Sequence, residues 1–197
     1  MKTQRKNRLT VIIEGAIIAA LAFALSFIPL QTPTASLDLS LGLIPLLVYA
    51  LRRGVGPGMA VGLVWSLLWM VLGRPSIYYP IQAVLDYPVA FALGGLGGVF
   101  SWPLRRSLTS GRGKGALLAV ILAVVVSVCA RWFIHFWSGV LFFAQYAPAG
   151  MNAYLYSGSV NGLSAAMNIT MLLIVLTILV KKAPRLFETE PRVQQTK

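Results

Sequence analysis

Residues 131–161 read RWFIHFWSGVLFFAQYAPAGMNAYLYSGSVN and hold the chain's only histidine, a dense run of aromatics and three amide side chains in otherwise apolar sequence. Apolar runs of about 18 or more residues mark spanning helices. The stretch therefore reads as the facing ends of two membrane helices, near 116–144 and 153–180, joined by a loop at 145–152. Polar and ionisable groups at membrane depth are costly, so His135 and its neighbours point to a site. The aromatics add flat faces whose edges can still carry a hydroxyl or N–H, the composition of a pocket for a flat heterocycle. Ordinary helix packing is the competing reading.

Working outward, 57% of the 197 residues are hydrophobic, 11% are charged and the mean hydropathy is +0.77, which places the chain among integral membrane proteins. Further helices are expected near 10–30, 37–51, 55–72 and 80–103, giving an all-α bundle of six transmembrane helices and a single membrane domain over 1–197. The net charge of +12 raises the question of nucleic acid, but the basic residues are confined to four clusters. These are Lys2, Arg5, Lys6 and Arg8; Arg52 and Arg53; Arg105, Arg106, Arg112 and Lys114; and Lys181, Lys182, Arg185, Arg192 and Lys197. By the positive-inside rule both termini, with tails 1–9 and 183–197, and the 51–55 and 104–115 loops are cytoplasmic; the 31–36, 73–79 and 145–152 loops face outward. Fifteen of seventeen Lys and Arg residues fall on one side, leaving Arg74 and Arg131. Topology and anionic membrane lipid account for the charge, and no nucleic acid is needed.

A basic start followed by an apolar stretch resembles a secretory signal. Here the apolar run is too long, carries Glu14, and must be retained for the later loops to alternate. Cys129 is alone in mid-helix, which excludes a disulfide framework. One histidine without clustered ligands gives no metal site, and no cofactor is indicated.

The second expected helix is barely long enough to cross and carries Pro45. The preceding QTPTASLDLS, 31–40, is polar for its depth and reads either as a partly inserted lid over an outward-facing pocket or as a plain connection. Of five acidic residues, Glu188 and Glu190 lie in the tail, Glu14 suits an interface near the cytoplasmic end of the first helix, and Asp38 suits a helix N-cap. Asp86 differs. It sits two turns into the fourth helix, on a face with Tyr79, Gln82 and Val89, and Pro88 should bend the helix there and free a carbonyl. Arg131, His135, Ser138 and Phe142 form a matching stripe on the fifth helix, with Phe143 beside it. Tyr154, Tyr156, Ser157 and Asn161, then Ser164 and Asn168, supply a third on the sixth. Asp86 either pairs with Arg131 or faces a ligand, in which case the ligand is a cation or a strong hydrogen-bond donor stacked on aromatic rings.

LDYPVAF in the fourth helix and HFWSGVLFFAQYAPAGMNAYLYSGSVN across the fifth and sixth resemble the thiamine-specific substrate-binding subunits of bacterial energy-coupling factor transporters. The specific likeness covers roughly 80–98 and 131–161, with the rest alike in length and character. It implies a six-helix protein of the bacterial cell membrane that captures thiamine from the outer face. It also implies a pocket of Asp86, Tyr87, His135, Tyr156 and Asn161, with Tyr79 as the family's tyrosine before the fourth helix and Tyr78 adjacent to it. Two positions depart from the family. The acidic residue, often glutamate, is the shorter Asp86, and Phe143 stands where a tryptophan is usual, while no tryptophan lies between Gln31 and Ser40. Thiamine, a precursor or a pyrimidine fragment all remain candidate ligands.

Ala16, Ala20 and Ala24 recur at every fourth position of the first helix, a spacing that lets helices approach closely in lipid. The resemblance implies that this face docks on a transmembrane coupling subunit; packing inside the bundle is the other reading. SGRGKG at 110–115 lacks the first glycine and the Ser or Thr of a phosphate loop, so the chain has no means of using ATP. The resemblance supplies two ATPase subunits beside the coupling protein. The rival functions are a proton-coupled carrier using Asp86 and His135 alone, and an intramembrane hydrolase with a serine activated by His135. The hydrolase is disfavoured because Ser138 lies on the histidine's own helix and SGSVNG is not a nucleophile turn, so no enzyme activity is expected.

Overall fold

The apolar runs fold as helices, but the first starts at Lys2, not near 10, and stops at Leu25, not near 30. The computed structural model describes residues 2–28, 37–73 and 75–188. The chain runs as α1 (Lys2–Leu25), α2 (Leu43–Arg53), α3 (Val55–Leu72), α4 (Pro80–Thr109), α5 (Gly113–Phe142) and α6 (Ala153–Lys182), with 3-10 turns at Ala144–Tyr146 and Pro184–Phe187 and no strand among the described residues. All but α2 include a stretch long and apolar enough to cross a membrane. Their exposed positions are filled by residues such as Ile12, Ile17, Val71, Leu141, Leu163 and Ile174, so the outer surface is apolar, as lipid requires. The expected 31–36 loop, Arg74, and Glu190 with the tail beyond it lie outside the described residues.

Three further expectations are corrected. The second helix begins at Leu43, not 37, and its 11 residues span about 16 Å at 1.5 Å each, about half a hydrocarbon core. Residues 37–42 do not coil because their backbone is captured by α6, as described below. The fourth helix runs on to Thr109, which draws Arg105 and Arg106 out of the expected 104–115 loop and leaves only a short turn at 110–112, where Gly111 adopts a φ of 66°. The start of the expected 183–197 tail is packed on the bundle, because the Pro184–Phe187 turn buries Phe187 completely.

α2 is short because it is a core element. Leu43, Leu46, Leu47, Ala50 and Leu51 are at most 2% exposed. Gly54, with a φ of 98°, lets the chain reverse at once into α3. α3 then crosses α4 at backbone contact: a Cβ on Gly62 would overlap the Phe91 carbonyl, and one on Gly95 would overlap the Gly58 backbone. At one end of the bundle Glu14 of α1 accepts two bonds from Arg53, both 2.7 Å, and Arg52 reaches Glu14 at 3.5 Å and the Leu186 carbonyl at 3.3 Å. The middle of α1, the end of α2 and the turn after α6 are thereby tied together.

Candidate functional site

Pro88 has no N–H and its ring crowds the carbonyl four residues back, so α4 widens into a π turn over Leu85–Val89. Such turns recur at functional sites because they re-aim side chains. Here the turn carries Asp86 and Tyr87. One turn earlier Gln82, 1% exposed, donates from Nε2 to Asp86 Oδ2 at 2.7 Å and to the Ser76 carbonyl at 3.1 Å, while its Oε1 accepts from the Tyr78 N–H at 3.0 Å.

From α5, His135 Nδ1 lies 3.1 Å from Asp86 Oδ1, and Arg131 Nε donates to His135 Nε2 at 3.2 Å. A guanidinium can only donate, so Nε2 is the acceptor and the ring hydrogen sits on Nδ1, pointing at Asp86. Both ring nitrogens are thus used. Ser138 Oγ is buried without a partner, so no serine is activated by His135 from that stripe.

The direct partner of Arg131 is not Asp86. Its Nη2 pairs with Asp38 Oδ2 at 3.5 Å, because His135 fills the space between guanidinium and Asp86. Arg131 is 8% exposed, with its guanidinium carbon 4.5 Å from the Phe91 ring centre and 5.8 Å from that of Trp65, contacts that offset part of the cost of burying the charge. Nor does Asp38 cap a helix, since the residue before α2 is Gly42. Its backbone N–H donates to Ser164 Oγ at 3.2 Å, its carbonyl accepts from Asn168 Nδ2 at 2.7 Å, and the Ser40 N–H donates to Asn168 Oδ1 at 2.9 Å. Leu37–Ser40 is therefore a strap bound along α6, and the deep end of the α6 stripe serves the strap.

The outer part of that stripe joins α5. Ser157 Oγ donates to the Phe136 carbonyl at 2.7 Å, and Asn161 Nδ2 donates to the Ser157 carbonyl at 3.0 Å and to that of His135 at 3.4 Å. Asn152 starts α6 by accepting the Leu155 N–H at 2.8 Å. Tyr156 is half-buried one residue before Ser157. The Tyr87 hydroxyl is held by Ser76, accepting its N–H at 2.8 Å and donating to its carbonyl at 3.3 Å.

At the rim, Tyr79 packs on Phe142 at 5.5 Å, whereas Phe143 meets Tyr78 edge-on at 5.6 Å and Tyr146 at 6.2 Å. The structure thus joins Asp86, His135 and Asn161, ties Tyr87 to the 75–79 segment, and sets Tyr79 and Phe143 in separate aromatic contacts. Sequence reasoning missed the Asp38–Arg131 pair and the role of Tyr78. Asp38 could have been found as the one remaining acidic residue at the right depth. Ala16, Ala20 and Ala24 lie exposed on α1, while Gly15, Ala19 and Ala22 face the bundle.

Chemically, two carboxylates against one guanidinium leave this part-buried cluster one formal negative charge in excess, beside aromatic rings. Such a site suits a flat monocation. Among the described residues no group of acidic, histidine or cysteine side chains is placed to hold a metal.

Residues 12–188 match the profile of a family described as thiamine transporter protein (Thia_YuaJ). The chain is 38% identical over 187 residues to the thiamine transporter ThiT of Lacticaseibacillus paracasei, covering 93% of each. It is 31% identical over 190 residues to that of Bacillus subtilis, covering 94% of this chain and 98% of the relative. A solved structure of ThiT from Listeria monocytogenes superposes with a TM-score of 0.88 at 39% identity, covering 92% of this chain and 98% of that one.

Proposed function

This chain belongs to the family of thiamine transporter proteins, and from that premise we propose how its site and surfaces serve the role. It is a thiamine-binding, multi-pass membrane component whose work is transport, not catalysis. The observation that carries the reading of the site is the Asp86 carboxylate, fixed by Gln82 and His135 within a cluster of net negative charge. Thiamine is a cation built of two flat heterocycles. Asp86 offers it counter-charge and a hydrogen-bond acceptor, and Tyr79, Tyr87, Phe143 and Tyr156 offer ring faces or hydroxyls, with His135 and Asn161 completing the pocket.

The strap with α2 makes one crossing, which brings the spans to six with both termini cytoplasmic in the bacterial plasma membrane. In support, Glu14, Arg52 and the Leu186 carbonyl meet at one end, and most Lys and Arg residues cluster by that side. As one domain, the chain delivers thiamine through a transmembrane coupling subunit and two ATPases of the energy-coupling factor type. The exposed Ala16, Ala20 and Ala24 face is where the coupling subunit docks.

Isothermal titration of the purified protein with thiamine, its phosphates, riboflavin and biotin tests the reading. Heat and fluorescence quenching with thiamine are expected, and no heat with thiamine or its pyrimidine precursors overturns it. In liposomes without ATPases the chain alone is expected to accumulate nothing; accumulation would assign it to a stand-alone carrier.

A further inference from the structure

We infer that Gln82 is a positioning residue: through its side-chain amide, the backbone of the 76–79 segment sets the direction in which Asp86 meets the ligand. The inference rests on the reading of Asp86 as a thiamine contact. Gln82 is 1% exposed, and every hydrogen-bonding direction of its amide is in use. Oε1 accepts the N–H of Tyr78 at 3.0 Å and that of Tyr79 at 3.5 Å. Nε2 gives one hydrogen to the Ser76 carbonyl at 3.1 Å and the other to Asp86 Oδ2 at 2.7 Å. A flipped amide would set its oxygen against a carbonyl and a carboxylate, and its NH2 against two N–H groups, so the side chain has one orientation. The NH2 faces Asp86 because the backbone at Ser76, Tyr78 and Tyr79 directs it there.

Asp86 needs such a guide. It stands on the π turn over Leu85–Val89, where regular helical spacing is broken, so its carboxylate is aimed by what bonds it. His135 holds Oδ1 and Gln82 holds Oδ2, which stops the carboxylate from turning about its own axis. The second of these bonds also joins it to the segment bearing Tyr78 and Tyr79, whose rings pack on Phe143 and Phe142. One amide thus sets the carboxylate in register with the aromatic rim. Capping alone does not account for the residue. Gln82 stands three positions after Tyr79, the residue before α4, where a glutamate oxygen would accept the same N–H groups. What glutamate does not offer is the donor that Asp86 and the Ser76 carbonyl face.

Thiamine titration by calorimetry and melting in detergent, on full-length variants, separate the two roles. Gln82→Glu keeps the length and the cap but turns an acceptor toward Asp86, and is expected to weaken binding by at least about fivefold. Affinity within about twofold of wild type would leave Gln82 as a helix cap only and overturn the inference. Gln82→Met should weaken binding in the wild-type background, yet change it by less than about twofold in an Asp86→Asn background; independent, multiplying losses overturn the action through Asp86.

If Gln82→Met does not fold, Gln82→Glu combined with Asp86→Asn decides. The exchange lets amide and carboxylate trade places, so the double variant should melt higher than Gln82→Glu alone and bind thiamine no better than Asp86→Asn. No recovery of melting would show that the two side chains do not act as a pair, and recovery of affinity would show that a carboxylate serves as well from position 82; either overturns the inference. If the wild type binds no thiamine at all, the proposed function fails first and the role of Gln82 falls with it.

Discussion

Asp86 is surrounded by donors: Gln82 Nε2 on one oxygen, His135 Nδ1 on the other. Asp86→Asn keeps the shape but puts an amide NH2 against one of them, since Arg131 prevents the histidine from moving its ring hydrogen to Nε2. Thiamine affinity is expected to fall by about 1.5–3 kcal/mol, the size of a charge-assisted hydrogen bond, and stability by about 1 kcal/mol. Calorimetry and melting in detergent read the two separately. Adding Arg131→Met should not restore the melting temperature, because the ion-pair partner of Arg131 is Asp38; restoration would mean that Arg131 and Asp86 pair after all. The Asp86–His135 meeting was legible from helical period, as both residues lie on polar stripes near the same membrane depth. The Arg131–Asp38 pair was not, because it depends on a non-helical strap reaching across to α6, which no local pattern records.

Elements were legible where an apolar run meets a clear stop. α3 matches its expected span because Gly54 and Gly73 bound it. α4 was misjudged because its arginines were assigned to a loop, although they lie on the helix that carries them to Thr109. A disturbance at Pro88 was anticipated, but that it would take the form of a π turn over Leu85–Val89 was not, because the missing N–H can be absorbed by a kink as well as by a widened turn. The crossing of α3 and α4 is the tightest part of the bundle, and membrane helices gain mainly from such close packing. Gly62→Ala pushes a methyl into the Phe91 carbonyl and is expected to cost about 1–3 kcal/mol of stability. Gly56→Ala, with open space around it, is the control and should leave melting unchanged or slightly higher. Equal melting of both variants would show that the helices can separate at no cost.

At the scale of the whole molecule, α1 presents two unlike faces. Gly15, Ala19 and Ala22 pack inward, and Ala16, Ala20 and Ala24 look out. Ala20→Trp is therefore expected to abolish thiamine uptake in cells that hold the coupling proteins, while the purified subunit keeps its affinity within about twofold. Loss of both together would place Ala20 in the internal packing. α2 packs against α1 but also against helices that come later in the chain, and its Arg52 is met by carbonyls 133 and 134 residues downstream. On the ribosome the order of synthesis thus runs against the order of burial. A nascent chain that has released only α1 to α3 carries a helix about 16 Å long, too short to hold itself across the bilayer and still without its α4 and α6 neighbours. The Arg52 anchor at the end of α2 can form only after α6 and the Phe187 turn have emerged, so one step in the packing of this protein ends near its beginning.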